Sequence, residues 1–463
     1  MTLQRRPIVL ALLLSAALGA SGCSTVGRLN PFRGSAAPKE AATEGQRISI
    51  LPPEEQLAPA DALKGVDFAL PPIAQVADWP LPGGTLEQSV ENVDAAPNLS
   101  IVWRRGIGEG TNNAVHVTAP PIEAAGRVYT MDAEALVTAH DARTGAEVWR
   151  VNLRPSDNRR DRESFGGGLA FADGKLYVSS GYRFVAQLDA ASGRLGWRTR
   201  TEEPMHAAPT VSEGRVMVVA LDNSLLTFDS ATGEPGWTYQ ALSEPARILA
   251  ASSPAVSGDT VVASFGSGEL VALRTANGND LWNEALSRAS RTSALSEIRD
   301  IPGRPVIYRG DVYAVSHSGV FAATDLRSGQ PRWSLPVVGV TTPLPAGDVV
   351  FVVSKTGELI CAARDSGQIY WMRDLNQGFV SRRRGGVFGI GGTRTTRPIW
   401  SSPLLANNRL ILVGSSGQLV SVNAKTGAVE KRVALDAPAL LSPIAAGDMI
   451  YVVTDNAQLI ALR

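Results

Sequence analysis

One short phrase, repeated along the chain, limits what the chain can fold into. An alternating apolar segment runs into an Asp/Ser/Thr–Gly turn, and a tryptophan follows the turn glycine four residues later. Leu270 to Trp282 is one copy; Leu136 to Trp149 and Val320 to Trp333 are others. Six pairs keep the offset: Gly145/Trp149, Gly193/Trp197, Gly233/Trp237, Gly278/Trp282, Gly329/Trp333 and Gly367/Trp371. A seventh turn glycine, Gly427, has Lys431 at the tryptophan position. Units open with a small residue and proline, as at Ala208-Pro209, Ser253-Pro254, Thr342-Pro343, Ser402-Pro403 and Ser442-Pro443. A glycine turn then leads to an apolar strand such as Val349 to Val353, and a second turn, Lys355-Thr356-Gly357, opens the alternating strand. Glycine supplies positive φ in such turns, and Asp or Asn bonds its own backbone.

Successive turn glycines stand 48, 40, 45, 51, 38 and 60 residues apart. Four short strands in that period cannot bury both faces alone, so neighbouring sheets must stack, and radial stacking gives a β-propeller. The ends set the count. An eighth unit begins at Ser442-Pro443 and stops at Leu459 to Arg463 without its tryptophan strand. Leu99 to Arg104 carries such a strand, with Trp103, and no unit before it. The pattern therefore predicts an all-β, eight-bladed propeller of four-stranded blades whose ring is closed by the N-terminal strand, which removes open sheet edges. Trp103, Trp149, Trp197, Trp237, Trp282, Trp333 and Trp371 are its structural residues.

Composition narrows function mainly by exclusion. Lys plus Arg and Asp plus Glu number 44 each, so no global charge favours nucleic acid. Only Cys23 and Cys361 are present, too few for a disulfide framework, and Cys361 lies in an alternating run as a core thiol would. His116, His140, His206 and His317 lack metal-ligand spacing, so no metal is expected. Gly106-Ile107-Gly108 and Gly389 to Gly392 do not join a strand to a helix as a phosphate cradle requires. No nucleophile elbow follows the N-terminal segment.

Arg5 and Arg6 precede the apolar run Ile8 to Leu18, then Gly19-Ala20-Ser21-Gly22 and Cys23, the order of a secretory signal. The cysteine after small residues resembles a bacterial lipoprotein signal, with Ala20 where that pattern prefers leucine. This resemblance implies cleavage before Cys23, acylation there, and, with Ser24 next, delivery to the outer membrane. The expected domains are a signal at 1–22, a lipidated tether rich in Ala, Pro and charge at 23–75, and the propeller at 76–463.

The phrase from Ala139 to Trp149 resembles the repeats of quinoprotein-type propellers, whose tryptophans lock adjacent blades. With the lipoprotein signal and eight blades, residues 75–463 resemble the BamB family of outer-membrane assembly lipoproteins. That resemblance implies a non-enzymatic scaffold of the β-barrel assembly (BAM) complex. Its partners would be a POTRA domain of BamA, other BAM subunits and unfolded outer-membrane clients. It assigns partner binding to Arg247, Ile248 and Leu249, before the fourth repeat, and to Asp300, in an acidic loop before the fifth. Exposed apolar residues there would anchor and flanking charges set register. The same repeats serve quinone-dependent dehydrogenases, the rival reading, but no vicinal cysteine pair is present and no cofactor is expected. A polysaccharide-binding envelope propeller is the other alternative. The 60-residue spacing holds Ser381 to Gly389, with Arg382, Arg383, Arg384 and Phe388, then Arg394 and Arg397. This basic insertion is expected to be a flexible solvated loop, with docking to an acidic partner or anionic lipid as the sharper alternative.

Overall fold

A computed structural model describes residues 57–156, 165–243, 252–287, 298–378 and 397–463, and the strands Ser381–Arg384 and Thr393–Thr396. Eight four-stranded antiparallel sheets follow one another among these residues. In blade 1 the strands are Ile122–Ala124, Arg127–Met131, Leu136–Asp141 and Glu147–Asn152, designated A to D from the axis outward. Blades 2 to 7 repeat this meander at 167–200, 210–240, 255–285, 306–335, 344–374 and 404–434. Blade 8 takes A, B and C from 444–462 and D from Ile101–Gly106, which pairs antiparallel with Gln458–Leu462. The ring is the eight-bladed propeller expected, closed by the N-terminal strand.

The continuous apolar runs have a physical reason. Val349–Val353 is buried at every position because its two faces serve different wedges. Val349, Phe351 and Val353 pack with blade 7, whereas Val350 and Val352 pack with blade 5. The core is thus divided into inter-blade wedges, each buried aliphatic side chain contributing roughly 1.5–3 kcal/mol. D strands lie outside, and their exposure alternates along the strand, as in Glu147–Asn152.

Tryptophans and turn glycines join the blades pairwise. A Cβ on Gly145 would fall 2.7 Å from the Trp103 ring, and Gly193, Gly233, Gly278, Gly329, Gly367 and Gly427 face Trp149, Trp197, Trp237, Trp282, Trp333 and Trp371 equally closely. Each glycine therefore lies under the tryptophan of the preceding blade. Six of the seven indoles donate to a carbonyl of the next blade's turn, from Trp103 to Arg143 O (3.1 Å) through Trp333 to Arg364 O (2.8 Å). Trp371 Nε1 has no such partner. Asp141 Oδ1 braces its turn by accepting from Thr144 N and Oγ1, and these bonds hold its carboxyl below the usual range. Tyrosines reinforce the seam: the Tyr129 and Trp149 donors share Ala190 O, and Tyr451 donates to Ala142 O across the closure.

The packed chain starts before residue 76, where the propeller was expected to begin. Phe68 is buried against Tyr370, and Ala69 and Asp348 exchange hydrogen bonds. The segment 66–99 goes on to touch every blade. It meets blade 1 at Glu123, 2 at Phe171, 4 at Val256, 5 at Ile307, 6 at Asp348, 7 at Leu405 and 8 at Gly447. Blade 3 is reached by a longer contact from Gln88 to Thr210. Its partners lie on A strands and A–B turns, so it plugs the A–B end of the central channel. Cys23 and the rest of the expected signal and tether through residue 56 lie outside the described residues.

Candidate functional site: the D–A face

In a four-stranded meander the A–B and C–D turns share one end of the blade, and the B–C turns and D–A connections share the other. The A–B turns are two residues long in every blade, from Ala125-Gly126 to Gly447-Asp448. The D–A connections are not uniform. Those at 201–209, 336–343 and 435–443 are short, whereas those at 241–254, 286–305 and 375–403 are expanded. Variation is therefore concentrated on one face, opposite the plug, and loops on a rigid scaffold are where recognition residues concentrate.

Among the described residues, Leu242 is the most exposed large apolar residue there, at 66%. It follows strand D of blade 3, Pro235–Gln240. Its amide donates to Glu269 Oε2 (2.7 Å) and its carbonyl accepts from Asn223 Nδ2 (2.9 Å). Both partners are buried: Glu269 opens strand C of blade 4, and Asn223 lies in the B–C turn of blade 3. Glu269 is itself held by Ser267 Oγ and Asn283 Nδ2, each at 2.8 Å, and Asn223 Oδ1 accepts from Gly266 N. The leucine backbone is thus fixed from both sides while its side chain faces water. Ile399 is held similarly, exchanging bonds with Ser415 at 2.9 Å while 54% exposed, and Val338 and Leu440 add two exposed aliphatics at D–A connections. Single exposed apolar residues are ordinary; a backbone clamped by buried side chains to keep one exposed is not.

The assigned partner residues divide. Arg247, Ile248 and Leu249 lie outside the described residues, between Leu242 and Ser252. Asp300 is described, and its expected surface position is corrected: it is 1% exposed. Its carbonyl accepts from His317 N (2.8 Å), and Ile301 beside it packs into the wedge between blades 4 and 5. The burial follows from the path of the chain, which seats Ile301 in that wedge as it approaches blade 5. His317 Nε2 is 2.8 Å from Lys355 Nζ; burial first, then the lysine charge, pushes the imidazole pKa down, so it is neutral and accepts. Asp300, His317 and Lys355 thus link a D–A connection to the B–C turns of blades 5 and 6. Leu242 was missed in the sequence; its signal was a large aliphatic residue immediately beyond a strand whose alternation had ended.

The basic insertion is structured in part. Ser381–Arg384 and Thr393–Thr396 pair as an antiparallel hairpin rather than a plain loop, while Phe388 lies outside the described residues. Cys361 is fully buried opposite Trp371, and burial raises its thiol pKa well above the usual value. His140 is buried within blade 1. Among the described residues, no three His, Cys, Asp or Glu side chains are grouped as a metal ion would require.

Fold and site together define a tryptophan-girdled propeller of the quinoprotein type that presents an expanded loop face. The family model described as outer membrane protein assembly factor BamB matches residues 133–373 and 383–463. The chain belongs to that family. Outer membrane protein assembly factor BamB of Yersinia pestis is 24% identical over 355 residues, 76% of this chain and 85% of that protein. The crystal structure of BamB from Moraxella catarrhalis superposes with a TM-score of 0.65 at 17% identity, covering 78% of this chain and 99% of that one. Quinohemoprotein alcohol dehydrogenase from Comamonas testosteroni gives 0.64 at 14% identity, covering 84% and 80%. Such nearly equal scores for an assembly factor and an enzyme show the fold alone, so function has to be argued from the site.

Proposed function

We propose that this chain is an outer-membrane protein assembly factor that acts by binding rather than catalysis. In this reading it is anchored at Cys23, faces the periplasm, and presents its D–A face to a POTRA domain of BamA within the BAM complex. Family membership supports the assembly role. The choice of face rests on Leu242, held exposed by Glu269 and Asn223 at the edge of the connection carrying Arg247, Ile248 and Leu249. A preorganised apolar anchor gains affinity because little freedom is lost on binding. Asp300 then acts as a positioning residue, buried behind the loops rather than touching the partner. The basic hairpin at Arg382 to Arg384 is a second contact, to an acidic partner surface.

The test is recovery of a POTRA-containing barrel protein with the tagged full chain from detergent-solubilised envelope. Leu242→Asp reduces recovery at least about tenfold, the effect of losing a central anchor worth roughly 1.4 kcal/mol or more. Val148→Asp, at an exposed position on strand D of blade 1, leaves it unchanged. Unaltered recovery with Leu242→Asp would remove the proposed anchor.

A further inference from the structure

Among the described residues, the cation of Arg304 in the central channel has no carboxylate beside it. A small cavity of about 40 Å³ lies where blades 5 to 8 approach the axis, bounded by Arg304, Thr342, Ser402, Ser442 and the prolines Pro343, Pro403 and Pro443. Trp79, Gly83, Gln88 and Val90 of the plug bound it from the A–B end. Arg304 is half-buried, and its Nε is fully buried with no hydrogen-bond partner. Burial alone pushes its guanidinium pKa down to about 10, with no neighbouring carboxylate to oppose it, so the group remains charged at neutral pH. Among the described residues, no Asp or Glu lines the cavity. Desolvating an ionised group without pairing it is unfavourable, and proteins ordinarily pair such groups or let them meet an ion.

The hydroxyls are set to donate. Thr342 Oγ1 accepts from Arg304 N (3.1 Å), and Ser402 Oγ accepts from Thr342 N (2.8 Å). With a lone pair of each oxygen occupied by a backbone amide, its proton is left for a further acceptor. A guanidinium and hydroxyl donors around one cavity, with no anionic wall, complement an oxyanion. We propose that the channel cavity at Arg304 is a binding site for a small oxyanion of the phosphate or carboxylate type, held by Arg304 and by the Thr342 and Ser402 hydroxyls. The site is formed by four blades and the plug, so its occupant joins parts of the ring that are distant in sequence.

The experiment titrates the full chain in detergent with inorganic phosphate, and separately with acetate, against chloride at matched ionic strength, following thermal unfolding. At about a hundredfold excess over its dissociation constant, a specific ligand raises Tm by a few degrees and the rise saturates. A rise with phosphate alone assigns a tetrahedral ligand, and a rise with acetate assigns a carboxylate. Arg304→Gln abolishes the response, and Thr342→Val and Ser402→Ala each weaken the apparent affinity severalfold while the protein stays folded. No saturable response in the unsubstituted protein, or an equal response in Arg304→Gln, overturns the proposal.

Discussion

A methyl group on Gly278 would lie 2.5 Å from the Trp237 ring, whereas one on Gly258 would meet nothing within 4 Å. Both glycines have positive φ, +73° and +56°. The pair separates two demands that glycine meets in this fold. A–B turns require only the left-handed conformation, and several accept other residues: Ala125, Glu213, Arg309, Asn407 and Asn408 all have positive φ. C–D turns require that conformation and also room for an indole, so all seven have glycine. Gly258→Ala should therefore cost about 1 kcal/mol, the conformational penalty alone. Gly278→Ala should cost about 2–4 kcal/mol, because overpacking is added. Urea denaturation of the two variants checks this; equal midpoints would show that the indole contact is unimportant. The same contact explains how far the sequence could be read. Turn glycine and tryptophan recur because each blade needs both, whereas Leu242 occurs once and is held by Glu269 and Asn223, whose nearness no linear pattern reveals.

Blade 8 differs from the others in having no covalent turn between strands C and D, and the girdle changes accordingly. Elsewhere a tryptophan lies on the turn glycine of the next blade. Blade 7 faces a strand that enters from Asn98 and Leu99, so no turn glycine lies below it, and the residue in that place is Lys431, which donates to Asn98 O (2.5 Å). The missing tryptophan in the repeat is thus a consequence of where the ring opens. The sequence showed the substitution and the split blade separately; the link between them needed the packing. Lys431→Trp should leave Tm unchanged or lower it, since the indole finds no seat, and a rise of several degrees would contradict this account. Trp103→Ala should cost about 3–5 kcal/mol, as should Trp237→Ala. Only Trp103→Ala, however, should also expose Arg104 and Arg105 to trypsin, because strand Ile101–Gly106 is held to blade 8 without a connecting turn. Equal cleavage in the two variants would argue against a weakened closure. Asp300 illustrates what remained unreadable: the loop composition is polar, yet the chain turns inward there, and burial is set by the path from blade 4 to blade 5.

At the scale of the molecule, the plug couples pH to integrity of the ring. Trp79 and Glu123 exchange backbone hydrogen bonds of 2.7 and 2.9 Å, and the Glu123 side chain is 3% exposed. Burial first, and the Asp78 charge second, push its carboxyl up to about 7. An acid whose folded pKa is raised contributes stability that is full below its unfolded value, near 4.5, and lost as pH rises through the folded value. Glu123→Gln removes the buried charge, so it should flatten that slope between about pH 5 and 8 and stabilise the protein near pH 8 by on the order of 1 kcal/mol. Melting curves across the range check it; a variant with the unsubstituted protein's slope would reassign the dependence to another group. His317 acts with the opposite sign. Its lowered pKa gives stability above the free histidine range that is lost as pH falls, so where the two titrations overlap their slopes oppose and partly offset each other. The plug has a temporal consequence as well. Its residues are synthesised before any blade, yet its last contacts, at Gly447 and Asp448, are among the last to be made. Its berth is complete only when the whole circle exists. The plug thus acts as a latch that only a finished circle can fasten, and a ring prevented from closing should leave residues 66–99 open to proteases.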